Sequence, residues 1–334
     1  MKIVYILPYH PTTVRFAGRI LMNMLTLPLL AGLAPEGVEQ QIIDENIKPI
    51  NLANEKIKAD LIAITAHTSF AQRAYQLADH FRARGIPVVM GGVHPTLVPE
   101  ETQKHASAIV IGRAEGVWGQ VIKDVQAGCL KAIYEAPLDQ PFSFGRRPRY
   151  DLVPRRKYQF VYYVESARGC PYRCVFCSVH KFFKGQVQMR PIGEVVDEIK
   201  AMKLPRLYSM AFADDNIYLN SERVKELLKA LIPLKIHWFS QCSIAMAFDD
   251  EALDLAARSG CQGLMVGFES LSDKNLELMR KNQVNEIGRF YEGVYRFHSA
   301  GIGIQGGIVL GFDHDDESVF ENTYRFLQDT NIEV

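Results

Sequence analysis

Short apolar runs alternate with amphipathic stretches twice along this chain, over residues 2–130 and again from Tyr158. Strands that alternate with helical patterns predict βαβ units and parallel sheets rather than hairpins. In the first stretch, strands are expected at Lys2–Leu7, Val38–Asp44, Asp60–Thr65, Ile86–Met90 and Ala108–Ile111. Helices are expected over Ile20–Leu33 (interrupted near Pro28), Phe70–Arg84 (stopped by Gly85) and Glu115–Gln126. In the second stretch, strands fall at 158–165, 207–213, 236–242, 262–268 and 302–310. Helices lie between and after them at 192–203, 221–231, 249–259, 284–299 and 316–329. Five successive β/α units fit a partial or full (β/α) barrel better than an open sheet. Asn331–Val334 reads as the start of a sixth strand, so the barrel is expected to be cut there, incomplete at its C-terminus.

Between the two stretches, Pro137, Pro141, Pro148 and Pro154 punctuate residues 131–157, which also carry Arg146-Arg147 and Arg155-Arg156. That segment reads as a linker with turns, its arginines as solvated charge. The expected organisation is an α/β domain over 1–130, a linker over 131–157 and the barrel over 158–334. A length of 334 residues suits two domains, each with its own core. Thirty-eight basic against 38 acidic side chains give zero net charge, which argues against a general nucleic-acid binder. No run of about 18 uncharged apolar residues is present, so no membrane span is expected. Met1–Pro8 reads as a strand, too short for a signal-peptide core.

Six cysteines remain, and three of them, Cys170, Cys174 and Cys177, crowd one segment while Cys129, Cys242 and Cys261 are scattered. A disulfide scaffold would spread its cysteines through a smaller secreted chain. This pattern predicts a cytoplasmic protein with a metal site. The segment Ser166-Ala167-Arg168-Gly169-Cys170-Pro171-Tyr172-Arg173-Cys174-Val175-Phe176-Cys177-Ser178 follows the first barrel strand, and barrels place their chemistry at strand C-terminal ends. Three thiolates leave a tetrahedral zinc or a four-iron cluster one ligand short. Either His180 completes a structural zinc site, or the site stays open for a substrate-binding iron. Cys242 and Cys261 have no spaced partner and are expected to pack as small apolar residues, as are Trp118 and Trp238.

The spacing CxxxCxxC, with aromatic Phe176 before the last cysteine and a strand before the first, resembles the signature of the radical S-adenosylmethionine (SAM) superfamily. The resemblance implies a [4Fe–4S] cluster on Cys170, Cys174 and Cys177, whose fourth iron chelates the amino and carboxylate groups of SAM. One electron from the reduced cluster then cleaves SAM to a 5′-deoxyadenosyl radical. It also implies SAM contacts at Phe176 on this loop and at later strand ends. Asp214 and Asp215 stand where the superfamily often has a Gly-Gly-Glu-like motif; they either grip the SAM ammonium or cap the following turn. Gln241, Ser243, Glu269 and Ser270 offer polar groups to the ribose and carboxylate, or are satisfied polar groups at strand ends. Gly306 and Gly307 resemble the glycine-containing adenine contact, and equally suit a bulge.

The element order before the barrel, with Val88–Thr96, Ile64–Ser69 and Ile111–Glu115, resembles the B12-binding-like domain that precedes many radical SAM barrels. Ligands of such a domain belong at strand C-terminal ends near a topological switch point, which marks Thr65, Ser69, Gly91, Gly92 and His94. The Asp-x-His-x-x-Gly pattern that supplies an imidazole to cobalt in many B12 proteins is absent. His94 and His67 are alternative imidazoles, or hydrogen-bonding loop residues.

The resulting expectation is a radical SAM enzyme that functionalises C–H bonds, with methyl transfer from cobalamin to a lipid or natural-product scaffold as one form. Cobalamin-independent C–C bond formation or rearrangement is the alternative, and an iron–sulfur or zinc sensor or carrier the non-enzymatic one. A reducing partner such as flavodoxin or ferredoxin is implied, alongside a small-molecule or lipid substrate.

Overall fold

The computed structural model describes residues 1–9, 24–137, 142–154, 157–158, 162–204 and 209–334. Two compact units, Met1–Val161 and Tyr162–Val334, divide the chain.

The first unit is built on a six-stranded parallel sheet of β1 (Lys2–Leu7), β2 (Glu39–Asp44), β3 (Leu61–Thr65), β4 (Val88–Gly91), β5 (Ala108–Ile111) and β6 (Ile133–Glu135). Its spatial order is β2-β1-β3-β4-β5-β6. The order reverses between β1 and β3, so the crevice expected of an open α/β sheet lies at the C-terminal ends of those strands. Continuous apolar runs such as Leu61-Ile62-Ala63-Ile64 are buried throughout, as a parallel sheet covered on both faces requires. Helices α1 (Thr26–Leu33), α2 (Ala71–Ala83), α3 (Val93–Leu97), α4 (Pro99–His105) and α5 (Trp118–Gln126) belong to this unit. Helix α2 buries Ala74, Leu77, Ala78 and Phe81, a stripe at helical spacing, and stops at Gly85, whose φ is +76°. Trp118 is buried against Tyr5, as its sequence context suggests.

The segment expected as a linker is integrated into this unit. Ile133 and Tyr134 pair with Ile109 and Val110, and the Tyr134 hydroxyl donates to Asp124 at 2.7 Å. Arg149 N–H donates to the Pro28 carbonyl, Arg146 to the Ala34 carbonyl, and the Tyr158 hydroxyl to Asp44. A three-residue strand with a single buried side chain leaves too short a pattern to read among so many prolines. Pro141, Arg155-Arg156 and the start of the expected Ile20–Leu33 helix lie outside the described residues.

In the second unit, β7 (Tyr163–Val164) begins the sheet, and β8 (Ala167–Arg168) and β9 (Gln188–Met189) form a small antiparallel pair. Strands β10 (Ser209–Phe212), β11 (His237–Cys242), β12 (Cys261–Glu269) and β13 (Gly303–Ile308) continue the sheet in parallel, in the order β13-β12-β11-β10-β7. Sequential staves are what a barrel arc needs and a doubly wound sheet lacks. The helices are α6 (Val179–Phe182), α7 (Ile192–Met202), α8 (Ser221–Leu231), α9 (Asp250–Arg258), α10 (Asp273–Leu278), α11 (Phe290–Ser299) and α12 (Ser318–Thr330). Asn220 and Asp249 cap α8 and α9 by accepting the N–H groups of Arg223 and Ala252.

One face of this sheet meets the helices. Phe268 packs edge-on against Phe290 of α11 and Phe326 of α12, and Trp238, Leu264, Val266 and Ile304 are buried. Cys242 and Cys261 are buried too, in keeping with packing roles. The other face is open. Gln241, Met265 and Gln305 share one register row across β11, β12 and β13, and all three are exposed. Residues Asn331–Val334 form no strand; Asn331 turns left-handed, and beside β13 Gly306 N–H donates to the Val334 carbonyl and Ile304 N–H to the Glu333 carboxylate, both at 2.8 Å.

Candidate active site

The cysteine loop is closed at its base by the antiparallel pair, with Ala167 opposite Met189 and Arg168 opposite Gln188. Gly169 follows at φ +80°, and a side chain there would collide with the Gln186 carbonyl. Only glycine fits that turn. Further along, Cys177 N–H donates to the Cys174 carbonyl, and Val175 N–H donates to the Met279 carbonyl just past α10, both at 3.1 Å. Cys170, Cys174 and Cys177 are half-buried free thiols, while Phe176 is 43% exposed on the same loop.

Burial pushes the Cys170 and Cys174 thiols up, and neighbouring cysteines push Cys170 further. The Lys281 ammonium opposes this at Cys174. The three sulfurs therefore share one electrostatic neighbourhood. Among the described residues, no three His, Cys, Asp or Glu side chains converge around a single ion. His180 packs its ring against Gly185 rather than completing a closed zinc set. A donor set of three thiols on one loop, one short of the four that close a structural zinc or an iron–sulfur site, fits a cluster with one iron left open.

Beside the loop base, Asp214 is 1% exposed and accepts both the N–H of Ser166, at 2.7 Å, and its hydroxyl, at 2.5 Å. Burial drives the Asp214 pKa up to about 6 against those bonds. Asp215 accepts Gly169 N–H at 2.9 Å; burial raises its pKa, opposed by that bond and by Arg168. Both carboxylates thus hold the backbone that leads into Cys170. Asn216 accepts Tyr218 N–H and Ser243 N–H, which places the largely buried Ser243 at the end of β11.

At the end of β12, Glu269 adopts φ +67°, a conformation that costs a non-glycine residue roughly 1–3 kcal/mol. Asn285 holds it there by donating to the carbonyls of Gly267 and Phe268, at 2.9 and 2.8 Å. The Glu269 carboxylate folds back over Gly267, where any side chain would strike it, and lies 3.4 Å from the Lys281 ammonium. Buried Ser270 accepts Ser272 N–H at 3.1 Å. Gly307 pairs with Gly267, whereas Gly306 lies against the Phe268 ring on the helix side. Of the two glycines expected near a nucleobase, Gly307 is the one on the open face with Gln241.

Ser166, Gly169, Lys281, Asn285 and Met265 were not among the expected site residues. A glycine directly before the first cysteine was a readable signal for one of them. Alternation along β12, with Met265 between buried Leu264 and Val266, was a signal for another.

In the first unit, the loops after β3, β4 and β5 are tied together at the sheet's C-terminal edge. Ala66 N–H donates to the Gly91 carbonyl, His94 N–H to the Ala66 carbonyl, and Gly112 N–H to Thr96 Oγ1. Gly92, at φ +101°, packs so closely on the β3 loop that a Cβ would stand 2.9 Å from Thr65 Oγ1 and 3.0 Å from the Ala66 carbonyl. Thr65 is buried; Thr68 and Ser69 are exposed. His94 is 4% exposed, with Nε2 2.7 Å from the Tyr75 hydroxyl and Nδ1 3.2 Å from Thr68 Oγ1. Both ring nitrogens are engaged. His67 meets the Phe70 ring edge-on, and burial lowers its pKa. A shelf of glycine backbone and exposed hydroxyls fits the approach of a broad, flat ligand such as a corrin.

Comparison with known proteins agrees with this geometry. Residues 164–327 match the model of the radical SAM superfamily, and residues 22–122 match that of the B12 binding domain. The bacteriochlorophyllide d C-12(1)-methyltransferase of Chlorobaculum tepidum is 29% identical over 99% of this chain and 74% of its own length. The radical SAM methyltransferase TsrM from Kitasatospora setae, solved with cobalamin and a [4Fe–4S] cluster, has a TM-score of 0.76 at 15% identity; the match covers 100% of this chain and 74% of that one. The cobalamin-dependent SAM radical enzyme OxsB, solved with aqua-cobalamin, has a TM-score of 0.74 at 16% identity, over 98% of this chain and 52% of that one.

Proposed function

Since this chain belongs to the radical SAM superfamily and carries a B12 binding domain ahead of its radical SAM domain, we infer that it is a cobalamin-dependent radical SAM methyltransferase acting on an unactivated carbon of a lipid or natural-product scaffold. The observation that carries the reading is the coexistence of two prepared edges: the closed three-cysteine loop and the glycine-lined shelf at the C-terminal edge of the first sheet. When bound, the cluster supplies an electron to SAM and cobalamin carries a methyl group.

The residues present have definable parts in this. Cys170, Cys174 and Cys177 would hold iron, with Asp214 and Asp215 fixing the loop that presents them. The proposed SAM contacts are Phe176, Gln241, Ser243, Glu269, Ser270 and Gly307, with the Asp214–Asp215 pair and Gly306 acting through the backbone they shape. Thr65, Ser69, Gly91, Gly92 and His94 shape the proposed corrin shelf. Support for methyl transfer comes from the bacteriochlorophyllide methyltransferase and from TsrM, and both solved relatives contain cobalamin. The substrate is a small molecule whose scaffold these relatives do not define. No helix among the described residues is long and apolar enough to cross a membrane. A low-potential reductant such as flavodoxin or ferredoxin, met in the reducing cytoplasm, completes the proposal; free thiols and an iron–sulfur cluster suit that compartment.

The test is anaerobic reconstitution with iron, sulfide and hydroxocobalamin, followed by incubation with SAM and dithionite. Formation of 5′-deoxyadenosine and S-adenosylhomocysteine is expected, with a protein-bound corrin spectrum. A fully loaded cluster without any SAM turnover would overturn the reading. Bound cluster and 5′-deoxyadenosine without corrin would favour cobalamin-independent chemistry.

A further inference from the structure

From Ser166 to Gly193 the chain holds no Asp or Glu, although its 38 acidic residues elsewhere balance its 38 basic ones. The cysteine loop closed by β8 and β9 lies inside that run, and Arg173, Lys181 and Lys184 are exposed on it. Arg168 and Arg190, the other cations of the run, are buried and paired with Glu165 and Glu198, so they offer no charge outward. The turn around Lys184 abuts the start of the loop, because the Gln186 carbonyl packs on Gly169.

An apolar element accompanies these charges. Val175 is 52% exposed and Leu278 41%, and the bond from Val175 N–H to the Met279 carbonyl brings the two into one neighbourhood. Exposed Arg280 follows Met279 directly, with exposed Glu277 the acid on that edge. Exposed apolar side chains with a polar rim are the anatomy of a protein docking surface, and a basic rim selects an acidic partner.

We propose that the surface formed by Arg173, Val175, Lys181, Lys184, Leu278 and Arg280 docks an acidic electron-carrier protein that reduces the cluster. The proposal rests on the cluster reading above and names the face on which the reductant acts. Electron transfer falls off steeply with the separation of two redox centres, so a carrier must sit on the elements that hold the cluster. The cysteine loop and the end of α10 bonded to it are those elements. The carrier gives up one electron and the cluster site accepts it; no bond forms or breaks, and no proton moves. Because the whole chain has zero net charge, the attraction is local. It acts within a Debye length, about 8 Å at physiological salt, and so orients the carrier over this loop.

Stopped-flow reduction of the anaerobically reconstituted full chain by a photoreduced acidic flavodoxin tests this, beside reduction by a low-potential viologen, which is a small cation. Arg173→Glu, Lys181→Glu and Lys184→Glu combined should slow the flavodoxin reaction about tenfold to a hundredfold at low ionic strength. Titration with oxidised flavodoxin should show weaker binding, and the viologen reaction should not slow. The deficit should shrink as salt approaches ~0.5 M, whereas Lys181→Arg with Lys184→Arg should keep the wild-type rate. Lys181→Glu alone, outside the cysteine segment, should give about a threefold deficit if the triple variant loses iron. Unchanged flavodoxin kinetics in a variant with full iron and sulfide content overturns the proposal and leaves the cluster reading intact. So does loss of binding to anionic phospholipid vesicles with flavodoxin reduction unchanged, which assigns the patch to a membrane surface. A wild-type chain that takes up no iron–sulfur cluster overturns the cluster reading itself, and the proposal with it.

Discussion

Asp214 grips Ser166 twice, taking its amide N–H at 2.7 Å and its hydroxyl at 2.5 Å from a site that is 1% exposed. The bond spans the sheet from the end of β10 to the residues that follow β7, directly upstream of the cysteine loop. A carboxylate so buried is costly unless its lone pairs are filled, and here the filling groups belong to the segment that must be held still. The first turn of the cluster loop is therefore set by β10 as much as by its own sequence.

That burial has a pH signature. Asp214 titrates at about 6 in the fold against an ordinary 3.8, so the native state takes up this proton more readily than the unfolded chain. The group's contribution to stability is full below pH ~4 and is lost as the pH rises through ~6, with an upper bound of about 3 kcal/mol. Urea unfolding of the cluster-free chain at pH 4 to 6.5 should show that decline, and Asp214→Asn should flatten it. Equal slopes for the two proteins would remove Asp214 as the cause.

Gly169→Ala should damage the loop out of proportion to one methyl group. The added carbon meets the Gln186 carbonyl at a φ of +80°. A loss of about 1–3 kcal/mol is expected from the conformation, plus displacement of the loop. Iron and acid-labile sulfide per chain should fall after reconstitution, a loss that Gly193→Ala, in open space within α7, should not produce.

The cysteines should sort into two groups. Cys170→Ala, Cys174→Ala and Cys177→Ala are each expected to lose the cluster's visible absorption and SAM cleavage. Cys242→Ala and Cys261→Ala, buried among apolar side chains, should keep full iron content and lower stability by about 1 kcal/mol. Iron analysis with thermal melts on the five variants separates these outcomes.

In the first unit, Arg73→Met should be more harmful than the loss of a surface charge. Glu45 is fully buried, and Arg73 meets it with two bonds, at 2.6 and 2.9 Å, while Ile50 N–H donates to the same carboxylate. Removing the cation leaves a buried charge unpaired, at a cost of about 3–5 kcal/mol. Denaturant midpoints should fall accordingly, and a Glu45→Met/Arg73→Met double variant should recover much of the loss.

Periodicity carried most of the architecture. Runs such as Leu61–Thr65 and helices such as Ser221–Leu231 are legible because burial imposes their pattern on the chain itself. Strand β6 was not, since its three residues bury only Tyr134 and owe their pairing to β5. The candidate cysteine loop was legible from spacing alone, because its members are neighbours along the chain. What Asp214 and Asp215 touch was not, for their partners lie 48 and 46 residues away. The unequal orientation of Gly306 and Gly307 and the left-handed Glu269 likewise depend on neighbours contributed by other strands.

The two-rung ladder joining Ala167-Arg168 to Gln188-Met189 also bears on how the metal centre could be assembled. Tying the ends of a loop of about 20 residues costs roughly 2.5 kcal/mol of chain entropy. The ladder meets that cost during folding, before any iron arrives. In the proposed metal centre the first thiol still meets an incoming cluster bimolecularly, and the other two then close on it within the molecule at high effective concentration, which disfavours its release after first contact.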